Sequence, residues 1–283
     1  MITRKRVGRP TAAVCAVALL ASLAACGGSS SPNSGGTSAA NPYHLIHPGT
    51  LTVGMDLQFK PEMYLNSAGK PAGYDVVLLD KLASAMHVKL SIQNLDFNGL
   101  IPGLQAHKFD LVSVGLSPTP AREQAVSFSR AYVPYALILA VPTNSTIPAT
   151  IAAWNSSGRT LTALQGSTDA QLAQKTFAKA KLQTFSDDTT ALLQVATHRA
   201  NGAVVEDYIL SQYSKANPGR LKQEPFSQPL NVQYGSYAVF KGNTALVSYL
   251  NKWLCTEQTS GALASAYKST EGVANFPPMP ACS

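Results

Sequence analysis

The sequence lacks the residue patterns that hold metal ions or build redox sites. Its 283 residues include only 4 cysteines and 5 histidines, and none occurs in a CxxC pair or in a Cys/His spacing typical of zinc ligation. The histidines are scattered, and we interpret all of them as surface or loop residues: His44, His47, His87, His107 and His198. We therefore expect neither a metal site nor a cofactor.

Positive charge is also scarce beyond the N-terminus. The formal net charge is +7, but four basic residues stand in the first nine positions: Arg4, Lys5, Arg6 and Arg9. No run of lysine or arginine follows them, which argues against nucleic acid as a partner. No apolar run after residue 25 approaches the roughly 18 residues of a membrane span, so we expect a soluble domain that acts as a monomer.

The N-terminal segment predicts export. The basic positions are followed by an apolar stretch, 11–23, that is too short for a stable transmembrane helix. Small residues then precede Cys26 in the sequence LAACG at 23–27, which resembles the lipobox of bacterial lipoproteins. The resemblance implies that residues 1–25 are a signal peptide and that Cys26 becomes the lipidated first residue. The alternative is an ordinary secretory signal with an incidental cysteine.

Residues 26–44 are expected to form the lipidated cysteine and a flexible tether. The segment 27–40 consists of small and polar residues that cannot bury much apolar area. Of the other cysteines, Cys15 leaves with the signal peptide. Only Cys255 and Cys282 then remain in an oxidising compartment, and two cysteines allow a single disulfide.

Two similar α/β units are predicted along the rest of the chain. The first alternates strand 50–55, helix 74–86, strand 89–93, helix 98–106 and strand 110–114; the second alternates strand 159–164, helix 169–180, strand 183–185, helix 189–197 and strand 202–205. Apolar strands at 135–141 and 232–240 are predicted to cross between the units, and helices follow at 245–254 and 262–268. We therefore expect one lobe from residues 45–136 and 233–283, a second from 137–232, and a cleft between them.

Seven short motifs occur in order along these units. They are LTVGMD at 51–56, GYD at 73–75, FNGLIPGLQ at 97–105, FDL at 109–111, SPTPAR at 117–122, QGST at 165–168 and AVVED at 203–207. Together they resemble extracellular solute-binding protein family 3, the polar amino acid receptors of ABC importers. The resemblance implies the two-lobed periplasmic-binding-protein-like fold of type II, with a ligand cleft between lobes joined by two crossing strands.

Two strand-to-helix turns carry groups suited to a carboxylate. Thr119 is a predicted N-cap and Pro120 the first residue of a helix, so free N–H groups lie beside the guanidinium of Arg122. A second such turn precedes Thr168. The resemblance implies that Arg122 and Thr168 hold the α-carboxylate of the ligand. The alternative for Arg122 is an ion pair at the surface, for example with Glu123.

Asp207 follows the predicted strand 202–205 at the cleft. The resemblance assigns it to the α-amino group of the ligand, together with carbonyl and hydroxyl groups near Gly115 and Ser117. The alternative is a helix-capping aspartate, because residues 208–213 have a helical pattern.

The ligand side chain is expected to meet Asp56, Phe59 and Phe97. The resemblance places an aspartate and two aromatic walls at these positions, although either phenylalanine could instead belong to the core. The family has an aromatic residue where this chain has Glu62, so the wall could be rebuilt by Tyr64 and the specificity is left open.

Charge provides a ranking of ligands. If Arg122 and Asp207 hold the backbone groups of an amino acid, Asp56 and Glu206 remain to be compensated, since a buried unpaired carboxylate is costly. We therefore expect arginine, lysine or ornithine first, glutamine second, and glutamate or aspartate last. If Glu206 points to solvent, arginine and glutamine become nearly equal.

The sequence thus predicts an extracytoplasmic binding protein, not an enzyme. It would be anchored to the cell membrane through Cys26 and deliver its ligand to the transmembrane subunits of an ABC permease. The alternatives are a dehydratase-like enzyme on the same fold and a ligand-sensing module. The lipobox and the tether favour the transport receptor.

Overall fold

A computed structural model describes residues 41–271 and 276–282 of the chain. The predicted signal peptide 1–25, the predicted lipidation site Cys26 and the tether up to residue 40 lie outside the described residues. Within the two described ranges, none of the helices combines the length and the apolar character that a membrane crossing requires.

The chain alternates between strands and helices. Its first half forms β1 (Thr50–Met55), β2 (Gln58–Phe59), β3 (Met63–Leu65), β4 (Pro71–Ala72), α1 (Tyr74–Ala85), β5 (Lys89–Asn94), α2 (Phe97–Gln105), β6 (Leu111–Leu116), α3 (Pro120–Ala125) and β7 (Val126–Pro142). The second half forms α4 (Ile151–Trp154), β8 (Thr160–Leu164), α5 (Thr168–Thr176), β9 (Lys181–Phe185), α6 (Asp188–Ala196), β10 (Gly202–Glu206), α7 (Asp207–Ala216), β11 (Leu221–Gln223), β12 (Asn231–Phe240), α8 (Thr244–Thr259) and α9 (Ala262–Glu271).

One nine-stranded sheet runs through the fold in the order β5-β1-β6-β12-β7-β10-β8-β9, and β11 also pairs with β7. Strand β1 pairs in parallel with β5 and β6, and β8 pairs in parallel with β9 and β10. Between these two parallel groups, β12 and β7 run antiparallel to their neighbours. The two predicted α/β units are confirmed.

Strand β7 connects the two parallel groups, because its 17 residues are enough to pair with β12 at one end and β10 at the other. Its residues 126–137 pair with β12, and its residues 137–140 pair with β10. We call residues 45–136, 233–271 and 276–282 lobe 1, and residues 137–232 lobe 2. The sequence predicted only the second half of β7. The first half contains Arg130 and Pro134, and its burial does not alternate in the two-residue period that indicates a strand.

Helix α1 illustrates why the helix predictions succeed. Its fully buried residues Tyr74, Leu78 and Leu82 are four positions apart and form one stripe, while Asp80 and Lys81 are exposed. The helix ends in a left-handed residue, and the same happens at the ends of α2 and α6. These three residues are His87, His107 and His198. All five histidines are exposed, as predicted.

The hydrophobic core has two parts. The larger cluster includes residues of both lobes, among them Trp253 of α8. The smaller cluster lies in lobe 2 around Trp154, which is 0% exposed. Strand β10 contributes Val204 to the smaller cluster and Ala203 and Val205 to the larger, because successive residues of a strand face opposite sides of the sheet.

Both ends of the described chain pack on helix α8 of lobe 1. Cys255 of α8 and Cys282 form the predicted disulfide, with their Cα atoms 5.6 Å apart. At the other end, Tyr43 lies against Tyr249 of α8 with ring centroids 4.7 Å apart, and its carbonyl accepts a hydrogen bond of 2.9 Å from Asn243. The last residues of the segment predicted as tether therefore pack on α8.

Candidate functional site

A pocket lies between the lobes, where the carboxyl ends of β6, β8 and β10 meet. Six of the eight residues predicted to bind the ligand line it: Phe59, Phe97, Gly115, Ser117, Arg122 and Thr168. Tyr135, Glu206 and Tyr208 line it as well. The walls lie close together and enclose only 20 Å³, which is about the space of one water molecule.

Arg122 projects from the first turn of α3. The Thr119 side chain caps this helix by accepting a hydrogen bond from the Arg122 N–H. The guanidinium is buried and donates to the carbonyls of Ser117 (2.9 Å) and Gly166 (3.1 Å), so it bridges the two lobes. The ion pair Lys81–Glu257 is the only one within 4.0 Å among the described residues, so Arg122 does not pair with Glu123.

Two glycines allow the backbone to form the pocket. Gly115 at the end of β6 has a φ of 59°, and Gly166 after β8 has a φ of 74°, both in the left-handed region that favours glycine. A Cβ atom on Gly166 would lie 2.3 Å from Oδ1 of Asn98 in lobe 1. A side chain at Gly166 would therefore displace the Asn98 side chain, and the positive φ would strain the backbone.

Buried hydrogen bonds hold Gly115 in place from below. Its N–H donates to the Tyr132 hydroxyl (2.8 Å), which donates to Asp75 Oδ2 (2.5 Å), and Ser113 donates to the same oxygen (2.5 Å). Burial raises the pKa of Asp75 to about 7, although both hydrogen bonds favour its ionised form. The GYD motif therefore supports the floor of the pocket and does not line it.

Hydroxyl groups complete the side of the pocket around Arg122. The Ser117 and Tyr135 hydroxyls lie 2.5 Å apart, and Tyr135 donates to the carbonyl of Gly115 (2.9 Å). The Thr168 hydroxyl donates to Oε1 of Gln233 (2.8 Å). Tyr135 and Gln233 belong to the crossing strands β7 and β12, so these strands contribute polar groups that the sequence analysis did not identify.

Phe59 and Phe97 form an aromatic corner in lobe 1. Phe59 belongs to the small sheet β2-β3-β4, which the sequence analysis missed, and Phe97 begins α2. Their ring centroids lie 6.4 Å apart in an edge-to-face arrangement, and the Arg122 guanidinium lies 5.6 Å from the Phe97 centroid. Tyr64 does not line the pocket, and its ring centroid lies 5.0 Å from the Lys60 ammonium. Glu62 does not line the pocket either.

Asp56 is buried beside the pocket but is not part of its lining. Its Oδ2 accepts hydrogen bonds from Gln58 Nε2 (2.7 Å) and from the N–H of Phe97 (2.9 Å). Burial nevertheless raises the pKa of Asp56 to about 6. Its contact with a ligand side chain remains a prediction.

At the end of β10 the pocket is lined by Glu206 and not by Asp207. The Asp207 side chain is exposed and accepts hydrogen bonds from the N–H groups of Ala136 (3.3 Å) and Tyr208 (3.0 Å). Glu206 has a fully buried Oε2 atom without a hydrogen-bond partner. Burial, followed by the nearby Asp169, raises its pKa well above the usual value. The structure thus places a carboxyl group at the end of β10 in the pocket, as predicted, but the group belongs to Glu206 and not to Asp207.

Two further carboxyl groups lie behind Glu206, and the sequence analysis identified neither. Asp169 in the first turn of α5 and Asp188 at the start of α6 are buried, and none of their oxygens has a hydrogen-bond partner. Burial, reinforced by Asp188, raises the pKa of Asp169 to about 8. The sequence signal was available, since each residue stands just after a predicted strand at the cleft.

The sequence pattern of the bacterial extracellular solute-binding proteins, family 3, matches residues 51–270. The chain belongs to this family. The resemblance stated from the motifs is therefore confirmed, and so is the fold, because solved relatives of this solute-binding protein are two-lobed amino-acid-binding proteins.

The relatives of the chain include amino-acid-binding proteins and an enzyme. The arginine-binding extracellular protein ArtP of Bacillus subtilis is 26% identical over 248 residues, which cover 87% of this chain and 91% of ArtP. An ancestral arginine-binding protein solved with arginine has a TM-score of 0.71 and 28% identity, covering 78% of this chain and 98% of that one. A cyclohexadienyl dehydratase of Pseudomonas aeruginosa is 23% identical over 229 residues, covering 77% of this chain and 81% of the enzyme.

Proposed function

We propose that this chain is the extracytoplasmic receptor of an ABC importer and that its ligand is an amino acid with a cationic side chain. The observation that carries the proposal is the charge layout of the pocket. One side of the pocket presents Arg122, and the other presents Glu206 with Asp169 and Asp188 behind it. Each of these three carboxyl groups has at least one oxygen without a hydrogen-bond partner. Relatives that bind arginine support the same ligand class.

The ligand's α-carboxylate would replace the carbonyls of Ser117 and Gly166 as the partner of Arg122. The Thr168 hydroxyl and the N–H groups at the start of α5 lie on the same side. The α-ammonium would pair with the Glu206 carboxylate. In the assignment made from the sequence, this role belonged to Asp207. The side chain would then follow Phe59 and Phe97 toward Asp56.

Binding requires the lobes to separate first. A space of 20 Å³ cannot hold an amino acid. The hydrogen bond from Arg122 of lobe 1 to the Gly166 carbonyl of lobe 2 holds the two walls of the pocket together. The crossing parts of β7 and β12 are the connections about which lobe 2 would turn. Closure around the ligand would then present a different surface to the permease.

Calorimetry on the chain without residues 1–26 tests this proposal against the twenty amino acids and ornithine. We expect arginine, lysine and ornithine to bind most tightly, glutamine more weakly, and glutamate and aspartate least. A preference for glutamate would contradict the charge argument, and no binding to any amino acid would contradict the proposed function.

A dehydratase is the second candidate, because Glu206 has a property that an enzyme needs. Burial raises the pKa of Glu206 and so favours its protonated form, which can act as a general acid in a closed pocket. Incubation with a cyclohexadienyl substrate, followed by detection of the dehydrated product, tests for this reaction. Turnover that disappears in Glu206→Gln would favour the enzyme over the receptor.

We also propose that Cys26 is lipidated and that the protein is anchored to the cell membrane through it. The motif at 23–27 supports this proposal. The variant Cys26→Ser is expected to leave the membrane fraction or to remain unprocessed, while its domain binds ligand normally. Membrane association equal to that of the wild type, with normal processing, would exclude the anchor.

A further inference from the structure

A second cavity lies between the lobes, next to the candidate pocket. It has a volume of 210 Å³, and it is lined from lobe 1 by Gln58 and Phe59 and from lobe 2 by Asp188 and helix α7. Phe59 lines both the cavity and the pocket. The pocket and the cavity therefore adjoin at Phe59.

Asp188 is the charged group that lobe 2 contributes to this cavity. It is 5% exposed, and neither of its carboxylate oxygens has a hydrogen-bond partner. It is not needed to cap α6, because Asp187 already accepts hydrogen bonds from the N–H (2.7 Å) and the hydroxyl (2.9 Å) of Thr190. A buried carboxyl group without a partner is costly, so its position needs another explanation.

The charges around Asp188 make a cation the suitable partner. Burial raises the pKa of Asp188, and so do Glu206, Asp187 and, from lobe 1, Asp56. The cation that lines the cavity is Lys60, which is exposed, and its ammonium lies over the ring of Tyr64. Within the described residues no Lys or Arg side chain lies within 4.0 Å of Asp188.

We propose that this cavity is the subsite for the distal cationic group of the ligand, and that Asp188 is the residue of lobe 2 that selects for it. The proposal rests on the proposed function and deepens it. A guanidinium or ammonium placed past Phe59 lies between Asp56 of lobe 1 and Asp188 of lobe 2. It therefore attracts both lobes, and a neutral side chain of the same shape does not.

Arginine and citrulline distinguish charge from shape, because citrulline has a neutral urea group in place of the guanidinium. Calorimetry measures both dissociation constants for the chain without residues 1–26. In Asp188→Asn we expect the preference for arginine over citrulline to fall by about 10- to 100-fold, the cost of losing a hydrogen bond to a charged group. Equal weakening of both ligands would overturn the proposal.

Asp187→Asn is the matched control. It removes one charge at the adjacent position, and asparagine caps a helix as well as aspartate does. Its preference for arginine is expected to stay within about threefold of the wild-type value, since Asp187 is already paired and does not line the cavity. A loss as large as that of Asp188→Asn would mean that the cavity does not select the cation.

A ligand series on the wild type keeps the test independent of how the variants fold. Affinity is expected to rise from 2,4-diaminobutyrate through ornithine to lysine and arginine, because only the longer side chains extend past Phe59. An affinity that does not change with length would overturn the subsite. If the wild type binds no amino acid at all, it is the proposed function that fails.

Discussion

The two sides of the candidate pocket differ in how their polar groups are satisfied. Around Arg122, the guanidinium and the neighbouring hydroxyl groups all form hydrogen bonds within the protein. Around Glu206, buried carboxyl oxygens have no partner, and burial raises the pKa values of these groups. The first side is therefore fixed in geometry and charge. The charge of the second side depends on what enters the pocket.

The largest effect is expected from Arg122→Ala, which removes the fixed positive group. At about 1.5–3 kcal/mol for each hydrogen bond to a charged group, loss of a two-bond contact lowers affinity by about 100-fold or more. Calorimetry should find this loss for every amino acid ligand, whatever its side chain. Arg130→Ala is the control, because Arg130 contacts Gln258 and Pro280 outside the pocket. Equal losses in the two variants would remove the distinction between the sides.

On the acidic side, Glu206→Gln is expected to weaken binding by about 30-fold, because loss of one partner of a buried charge pair costs about 2 kcal/mol or more. The exposed neighbour allows a matched comparison. Asp207→Asn removes the same charge one residue later and should change affinity by less than about threefold. If Asp207→Asn proved the more damaging of the two, the assignment made from the sequence would be correct.

Asp56→Asn is expected to separate cationic from neutral ligands. Arginine should lose about tenfold in affinity, because one charge-assisted contact is removed, whereas glutamine should change little. Competition between the two ligands, measured on one sample of protein, gives the ratio directly. An equal loss for arginine and glutamine would mean that Asp56 only positions Phe97 through its backbone hydrogen bond.

The affinity for a cationic ligand is also expected to depend on pH. Burial raises the pKa of Asp56 to about 6 and, with Asp188, that of Asp169 to about 8, and a cation favours the ionised form of each. Binding of arginine should therefore release protons, and its affinity should fall as pH falls from about 8 to 5, by at most about tenfold per unit for each proton. Calorimetry in two buffers of different ionisation enthalpy measures the release. An affinity that is constant across this range would contradict the difference in charge between the two sides.

Local patterns predicted the fold well, but they could not predict contacts between lobes. The helices followed from their apolar stripes and caps, as in α1. The small sheet β2-β3-β4 has strands of two or three residues, which are too short to show a period. The contribution of Tyr135 and Asp188 depends on how the two lobes come together, and no single segment encodes that.

The choice between Glu206 and Asp207 shows how one residue of register changes a site. The sequence ended the strand at residue 205, but β10 continues through Glu206 and α7 begins at Asp207. Successive residues at a strand end point in opposite directions. Which carboxyl group contacts the ligand therefore depends on this register, whereas Arg122 and Thr168 follow helix starts that the sequence marks clearly.

The two tryptophans of the chain lie one in each lobe, Trp154 in the small core of lobe 2 and Trp253 on α8 of lobe 1. Each lobe consequently carries its own intrinsic fluorophore. Trp253→Phe leaves tryptophan emission only from lobe 2, and Trp154→Phe leaves tryptophan emission only from lobe 1. Denaturation followed by fluorescence in the two variants can thus compare the melting of the lobes within one polypeptide, without any attached dye.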